Sequence, residues 1–466
     1  MRFRPIQLVN GNGNGNGKYT SGSTTKSLVI LLPFTALLIF ILSFSLTTNS
    51  SFPPPKIYPT TTLHFNVTEV KPCNIFSGDW IPYNEGPYYD NQTCNMIIDQ
   101  QNCIKFGRPD RDFLKWRWKP DQCDLPLFDA NLFLNLVKGK SMAFLGDSVG
   151  RNQMNSLLCL LNHVAHPEDI TKNYTTDPIY FRRWFYADYN FTLVTLWSPF
   201  LVRAKDGDLK DDYNNKIMNL YLDKADEAWT REVESFHFVI ISAGQWFFRP
   251  LALYEKGKLV GCNRCGHNNI KDLTHHYGYR KAFRTAFRTL ARLKGYKGVT
   301  ILRTFSPAHF ENSEWNKGGS CERTKPYTKE EMKFDGFIFD TYLTQVKEFR
   351  AAQKKARKTG LKFLMLNTTE IMLRRPDGHP NNYVYGRTKN HNATYNDCVH
   401  WCLPGPVDTW NEFLFQGLIL GWASWLETFR VNTKGIINVN PYPDQHPFSI
   451  FFLRVTSVCP VHTTKH

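Results

Sequence analysis

Met142-Ala-Phe-Leu-Gly-Asp-Ser-Val-Gly-Arg-Asn152 carries an uncharged, mostly apolar block into a small-residue turn and out into a mixed polar and apolar stretch. The block at 141–145 reads as a strand buried on both faces. Gly146 permits a tight turn, and 149–162 continues with helical spacing. Ser148 therefore stands at a helix N-terminus and at the carboxyl end of a strand. Unpaired backbone N–H groups there can hold an oxyanion. The same residues also read as a plain N-cap, a common use of Ser and Asp. No Gly-Lys-Ser/Thr follows, so this is not a Walker loop, and it is not a dinucleotide fingerprint.

Further short apolar runs lie at 193–197, 236–241, 299–303 and 362–366. Between and after them, 216–230, 277–293, 329–358 and 407–423 have helical patterning. Strands alternating with helices predict an α/β domain in three layers, a central parallel sheet covered on both faces. The active site of such a sheet lies at the carboxyl ends of its strands. Residues 71–135 are rich in Cys, Trp and Pro with little periodicity. They read as an irregular, disulfide-held segment wrapped on the body at 136–466.

A second constellation, Asn396-Asp-Cys-Val-His-Trp-Cys-Leu-Pro-Gly405, places Asp397 three residues before His400. One turn brings both side chains to the same side. Asp397 can then fix the His400 tautomer and stabilise imidazolium while His400 takes the proton from Ser148. The bland alternative is an Asp–His pair capping the last helix. Zinc ligation by Asp397, His400, Cys398 and Cys402 would need thiolates in an oxidising compartment and lacks a C-x2-C spacing. We expect no metal and no bound cofactor.

The compartment is read from the first 70 residues. Residues 1–27 are basic and contain an alternating Asn-Gly run that cannot bury anything, so they are expected to be a disordered cytoplasmic tail. Residues 28–46 carry no charge and make about 30 Å of helix, the thickness of a bilayer core. Basic residues before the span keep the N-terminus cytoplasmic, so we expect a signal-anchor and a single-pass type II topology. A cleaved signal peptide is the rival, against which stand the long basic region and the lack of a small-x-small site. Residues 47–70 are a Pro/Thr-rich stalk. Sequons at Asn66, Asn91, Asn173, Asn190, Asn367 and Asn392, with a further one at Asn49 close to the span, agree with a glycosylated lumen. So do the 11 Cys, which read as disulfides with one left over. The net charge of +16 is spread along the chain. A nucleic-acid partner is not expected for a luminal domain.

Together the Gly146-Asp-Ser148 turn and Asp397-x-x-His400 resemble the GDSL/SGNH esterase plan. Over residues 71–459 the chain resembles the plant trichome birefringence-like family of polysaccharide O-acetyltransferases. The resemblance is carried by Cys73-Asn-Ile-Phe-Ser-Gly-Asp-Trp80, Trp116-Arg-Trp-Lys-Pro-Asp-Gln-Cys-Asp-Leu-Pro126, Arg303-Thr-Phe-Ser-Pro-Ala-His-Phe310, Glu314-Trp-Asn-Lys-Gly-Gly-Ser-Cys321 and Asp397-Cys-Val-His-Trp-Cys-Leu-Pro-Gly405. It implies an SGNH-like fold, residence in the Golgi membrane, and Ser148, His400 and Asp397 as a catalytic triad. It also implies disulfides Cys73–Cys123, Cys94–Cys159, Cys103–Cys402 and Cys321–Cys398. Ile240-Ile-Ser-Ala-Gly-Gln-Trp-Phe-Phe-Arg249 is most similar to members acting on xyloglucan. That implies a side-chain galactose as acceptor, on fucosylated side chains, modified mainly at its primary hydroxyl.

Two features depart from the SGNH plan. The Asn usual after the third strand is replaced by Ser242-Ala-Gly-Gln-Trp246. Gly244, Gln245, Arg151 or Asn152, beside Gly146 and Asp147, are then the candidates for completing an oxyanion hole. Cys262 and Cys265 lie outside the implied pairs and read as a local disulfide, with a redox pair or half a metal site (with His267) as alternatives; Cys459 is unassigned.

Acetyl transfer would run through an acetyl-serine. Trp246, Trp315 and Trp401 are candidate acceptor platforms, with Arg303 and His309 as polar contacts, though each reads equally as core. The acetyl donor, acetyl-CoA or another, is not indicated by any phosphate cradle. The rivals are transfer to xylan or another wall polymer, an acetylesterase with the same triad, and a non-catalytic glycan-binding scaffold.

Overall fold

The structure is a computed structural model that describes residues 74–177, 180–210, 216–314, 317–384 and 396–429, with side chains to residue 419. The expected tail, span and stalk lie outside these residues, as do Cys73, Asn66, Trp315, Asn392 and Cys459. Among the described residues no helix is long and apolar enough to cross a membrane.

The segment read as irregular contains a two-stranded antiparallel pair, β1 (Gly78–Pro82) and β2 (Trp116–Pro120). Trp80 and Trp118 face each other across it with centroids 5.7 Å apart. Their indole N–H groups donate to the carbonyls of Ile371 and Ile75. Arg375 stacks on Trp80 at 4.3 Å, and Arg374 pairs with Asp79 at 2.6 Å. The tryptophans thus fasten the segment to the chain at 371–375, while Cys94–Cys159 and Cys103–Cys402 fasten it elsewhere.

Helix α1 (Ala130–Leu136) leads into the main sheet. Its strands are β3 (Ser141–Gly146), β4 (Glu168–Asp169), β5 (Arg183–Tyr186), β6 (Phe191–Trp197), β9 (Phe238–Ser242), β12 (Val299–Arg303) and β13 (Lys362–Leu366), in the order β13-β12-β9-β3-β6-β5-β4. The first five in that order are parallel. The parallel sheet predicted from sequence is therefore mixed, because β5 and β4 add antiparallel at one edge. Only residues 187–190 separate β5 from β6, with Asn190 left-handed at φ 44°. A connection that short makes a hairpin and cannot cross over.

Met142 and Phe144 of β3 face one core, with helices α2 (Ser148–Leu161) and α5 (Asp408–Phe429) packed on it through Leu157, Leu158, Trp410 and Phe413. Ala143 and Leu145 face the other core, under α3 (Thr274–Arg292) and α4 (Gly336–Ala356), with Phe283, Phe287 and Phe349 buried there. Each such phenylalanine contributes roughly 1.5–3 kcal/mol of burial. This two-sided demand explains why β3 has no polar alternation.

One helix assignment fails. The segment expected to be helical at 216–230 forms β8 (Lys216–Ala225) and then a single turn at Glu227–Thr230. β8 sits in a second sheet with β7 (Val202–Lys210), β10 (Leu251–Glu255) and β11 (Lys258–Asn263), in the order β11-β10-β8-β7. Ile217, Leu220 and Leu222 are its buried residues. Pairing to neighbours on both sides decided the state of a stretch whose own propensity was ambiguous. The Cys262–Cys265 disulfide closes the end of β11.

Candidate active site

Ser148 is placed by the junction of β3 and α2. Gly146 has φ 148°, and a Cβ there would lie 1.7 Å from the Ser242 carbonyl oxygen. Only glycine lets β3 run this close to β9 while turning. The capping task falls to Asp147. Its carboxylate accepts from the Val149 N–H at 3.0 Å and, through its other oxygen, from the Gly244 N–H at 2.9 Å. Ser148 is thus relieved of capping, and its hydroxyl faces His400.

His400 Nε2 lies 2.7 Å from Ser148 Oγ, and His400 Nδ1 lies 2.7 Å from Asp397 Oδ2. Asp397 Oδ1 also accepts from the N–H groups of Val399 and His400. Burial pushes the Asp397 carboxyl up, but the imidazole and these N–H donors outweigh it and hold the group down at about 2. Burial pushes His400 down, and Asp397 more than offsets this, so His400 ends above its ordinary value. The His400 side chain remains 24% exposed.

The loop carrying His400 is braced by two disulfides and by Asn152. Cys398 is bonded to Cys321 and Cys402 to Cys103. Cys123 is also disulfide-bonded. With both loop cysteines in disulfides, the zinc alternative loses its thiolates. The Asn152 side chain accepts from the Trp401 N–H at 2.7 Å and donates to the Trp401 carbonyl at 3.2 Å. Asn152 sits one turn beyond Ser148 on α2, so it locks the His400 loop to the helix that carries Ser148.

Several expected site residues do other work. Asn152 uses its amide on Trp401, the Gly244 N–H is taken by Asp147, and the Gln245 amide donates to the Ser306 carbonyl at 2.7 Å. None of these three is placed as an oxyanion donor. Arg303 is buried, stacked 4.5 Å from Trp410, and donates to the Thr304 carbonyl. Burial lowers its pKa to about 10 while Asp147 opposes that shift. Trp401 is fully buried, and His309 is buried with both ring nitrogens engaged. All three belong to the core and not to an acceptor surface, because aromatic and planar groups that suit sugar stacking suit close packing equally well. Arg151, half-buried on α2, lies near enough to depress the His400 pKa by its charge.

Trp246 follows Gly244, whose N–H Asp147 holds, and packs on Trp197 at the end of β6. It meets Trp197 nearly at right angles with centroids 5.6 Å apart, and Arg249 covers it at 3.8 Å. Nothing in the sequence marks Trp197 as a site residue. It is the last residue of β6 and pairs in register with Gly146, and Ser242 pairs with Gly146 on the other side. Its position after an apolar run was the available signal, but strand order was needed to put it next to Gly146. Of the sequons, Asn173 and Asn190 are exposed, while Asn91 and Asn367 are partly buried.

Residues 125–417 match the GDSL/SGNH-like acyl-esterase family found in Pmr5 and Cas1p, and residues 71–124 match the PMR5 N-terminal domain. The chain is 49% identical over 347 residues to Arabidopsis thaliana protein trichome birefringence-like 20, covering 74% of this chain and 72% of that one. It is 44% identical to Populus trichocarpa xyloglucan O-acetyltransferase 4, covering 74% and 81%. To Arabidopsis thaliana xyloglucan O-acetyltransferase 2 it is 40% identical, covering 73% and 81%.

Proposed function

The chain belongs to this PC-esterase family and is one of its trichome birefringence-like members, and from that premise we propose that it is an O-acetyltransferase acting on a plant cell-wall polysaccharide, xyloglucan. The observation that carries the chemistry is the unbroken line Ser148 Oγ, His400, Asp397, with 2.7 Å at each step. The substrate rests on the relatives that are xyloglucan O-acetyltransferases.

In the first half-reaction Ser148 Oγ attacks the acetyl carbonyl of the donor, and its proton passes to His400 Nε2. His400 then protonates the departing donor group, leaving acetyl-Ser148. In the second, a sugar hydroxyl gives its proton to His400 and attacks the ester. The proton returns to Ser148 Oγ as the acetylated sugar leaves. Asp397 keeps the imidazole in the right tautomer and stabilises its charged form. The Ser148 N–H at the helix start and the Arg151 guanidinium are the groups we assign to the oxyanion. The Trp197–Trp246 corner is the assigned acceptor wall.

The finer acceptor is a side-chain galactose, fucosylated, modified at its primary hydroxyl. The enzyme works in the Golgi lumen from a single type II anchor. The donor is an activated acetyl ester or thioester. The test is mass spectrometry of fucosylated xyloglucan oligosaccharide after incubation with the full chain and an acetyl donor, beside Ser148→Ala. Acetyl on galactose with the native chain only is the expected result. Transfer to xylan alone would overturn the substrate, and release of acetate with every acceptor would make the protein an esterase. A biological effect that survives Ser148→Ala would make it a scaffold.

A further inference from the structure

Behind the base lie two imidazoles that the transfer steps do not use. His379 Nδ1 is 2.6 Å from the His400 carbonyl oxygen. His379 Nε2 is 2.7 Å from His309 Nδ1, and His309 Nε2 is 2.9 Å from the Leu373 carbonyl oxygen. Both rings are buried, and His379 stacks on Trp401 with centroids 4.1 Å apart. A carbonyl oxygen only accepts, so both outer ring nitrogens must carry N–H. The inner contact needs a third proton, because two nitrogen lone pairs at that distance repel. Two neutral imidazoles supply only two protons.

We propose that His309 and His379 are a positioning pair sharing one extra proton, an imidazole–imidazolium couple whose outer N–H holds the His400 carbonyl and so sets the base against Ser148. The same two segments also grip the loop through the backbone. The His309 N–H donates to the Cys398 carbonyl at 3.0 Å, and the Cys402 N–H donates to the Gly378 carbonyl at 2.9 Å. The couple thus acts at the peptide of the base itself, midway between two backbone clamps.

The charges around the couple are few. Burial pushes His309 down to about 4 and His379 well below its ordinary value, with the neighbouring His309 ring adding to the push on His379. The His400 carbonyl and Asp397 raise His379, and the charge on the His400 ring lowers it by less. Arg108 donates to the carbonyls of His379 and Asp377 and is itself paired with Asp110. Arg375 and Asp377 pair with each other, and Arg374 pairs with Asp79. The Leu373 carbonyl raises His309. Against burial stand the inner hydrogen bond, which only the protonated couple can make while keeping both outer ones, and the negative Asp397. A buried contact left as two facing lone pairs is the worse alternative.

The inference rests on His400 being the base, but its first test needs no turnover, so the two ideas fail separately. In the full chain labelled with 15N-histidine, imidazole shifts at pH 7 report which ring nitrogens are protonated. His309→Gln and His379→Asn assign the signals. Three protonated nitrogens among the four of the couple are expected, and two would overturn the proposal. The kinetic test uses His379→Phe, which keeps a ring on Trp401 but has no N–H. We expect kcat to fall at least tenfold with KM within about twofold, and His379→Asn, with an amide N–H near the Nδ1 position, to restore most of kcat. In the native chain kcat should also fall at alkaline pH as the couple loses its proton, a limb absent from His379→Asn. A folded His379→Phe with kcat within twofold of native would overturn the positioning role. If that variant does not fold, the shifts decide.

Discussion

Replacing Asp397 by Asn tests the core of the mechanism with little change in shape. The amide oxygen of the new side chain can still accept from the N–H groups of Val399 and His400, so the turn should survive. Its amide N–H₂ then faces His400 Nδ1 and makes that nitrogen an acceptor. The imidazole proton moves to Nε2, toward Ser148 Oγ, and the base can no longer accept the serine proton. The effect of charge can be read from Asp397, held at about 2 against the usual 3.8 mainly by His400 once burial is overcome. That difference, in which the backbone N–H donors share, puts the pairing with the charged imidazole at no more than about 2 kcal/mol, or about thirtyfold in rate. The wrong tautomer adds to it, and the total expected loss in kcat is about 10³–10⁴-fold. The assay is single-turnover acetylation of Ser148 followed by mass spectrometry, with thermal melting to verify folding. A folded Asp397→Asn chain acetylated within tenfold of the native rate would refute the triad.

The raised His400 sets the acid limb of the rate. Acetylation should increase with pH through a midpoint above 6.5, since the base works only when neutral. Arg151→Leu removes a positive charge near the imidazole and should move that midpoint higher, read from kcat/KM against pH; a downward move would contradict the placement of Arg151. At the start of α5, burial raises Glu412 to about 7 and Asp408 to about 6. A folded carboxyl that binds its proton more tightly than the unfolded one stabilises fully below about 4.5, and this is lost as pH rises through about 7. Glu412→Gln should therefore raise stability at pH 8 by up to about 3 kcal/mol and leave it little changed at pH 4.5, measured by urea unfolding. Gly146→Ala should abolish soluble folded protein, because its Cβ would overlap the Ser242 carbonyl; normal expression would show that β3 and β9 can separate.

Much of the site was legible because its chemistry is local. Asp397 and His400 share one turn, and the Gly146-Asp147-Ser148 junction announces a strand end and a helix start within three residues. The five parallel strands were legible because burial on both faces demands uninterrupted apolar runs, as in Phe238–Ser242. Strand β8 was not, because Lys216–Ala225 mixes polar and apolar residues and took its state from its two neighbours. The acceptor residues were the weakest reading. Trp401, Arg303 and His309 have side chains suited to sugars, yet they are buried, and composition cannot tell a stacking platform from a packed core.

What the amino-acid sequence determined by itself was the five parallel strands at the centre of the sheet, Ser148, His400 and Asp397 as the candidate site residues, and the division between a basic N-terminal region and a cysteine-rich body. Those depend on periodicity and on neighbours a few residues apart. Only the tertiary structure decided that Asp147 caps α2 and leaves the Ser148 hydroxyl to His400, that Asn152 serves Trp401, that Trp197 stands beside Gly146, and that His309 and His379 line up behind the base. Each of those is a pairing of donors and acceptors, or of strands, that the fold alone brings together. Such pairings follow from strand order and from the need to satisfy every buried polar group, and no local pattern encodes them.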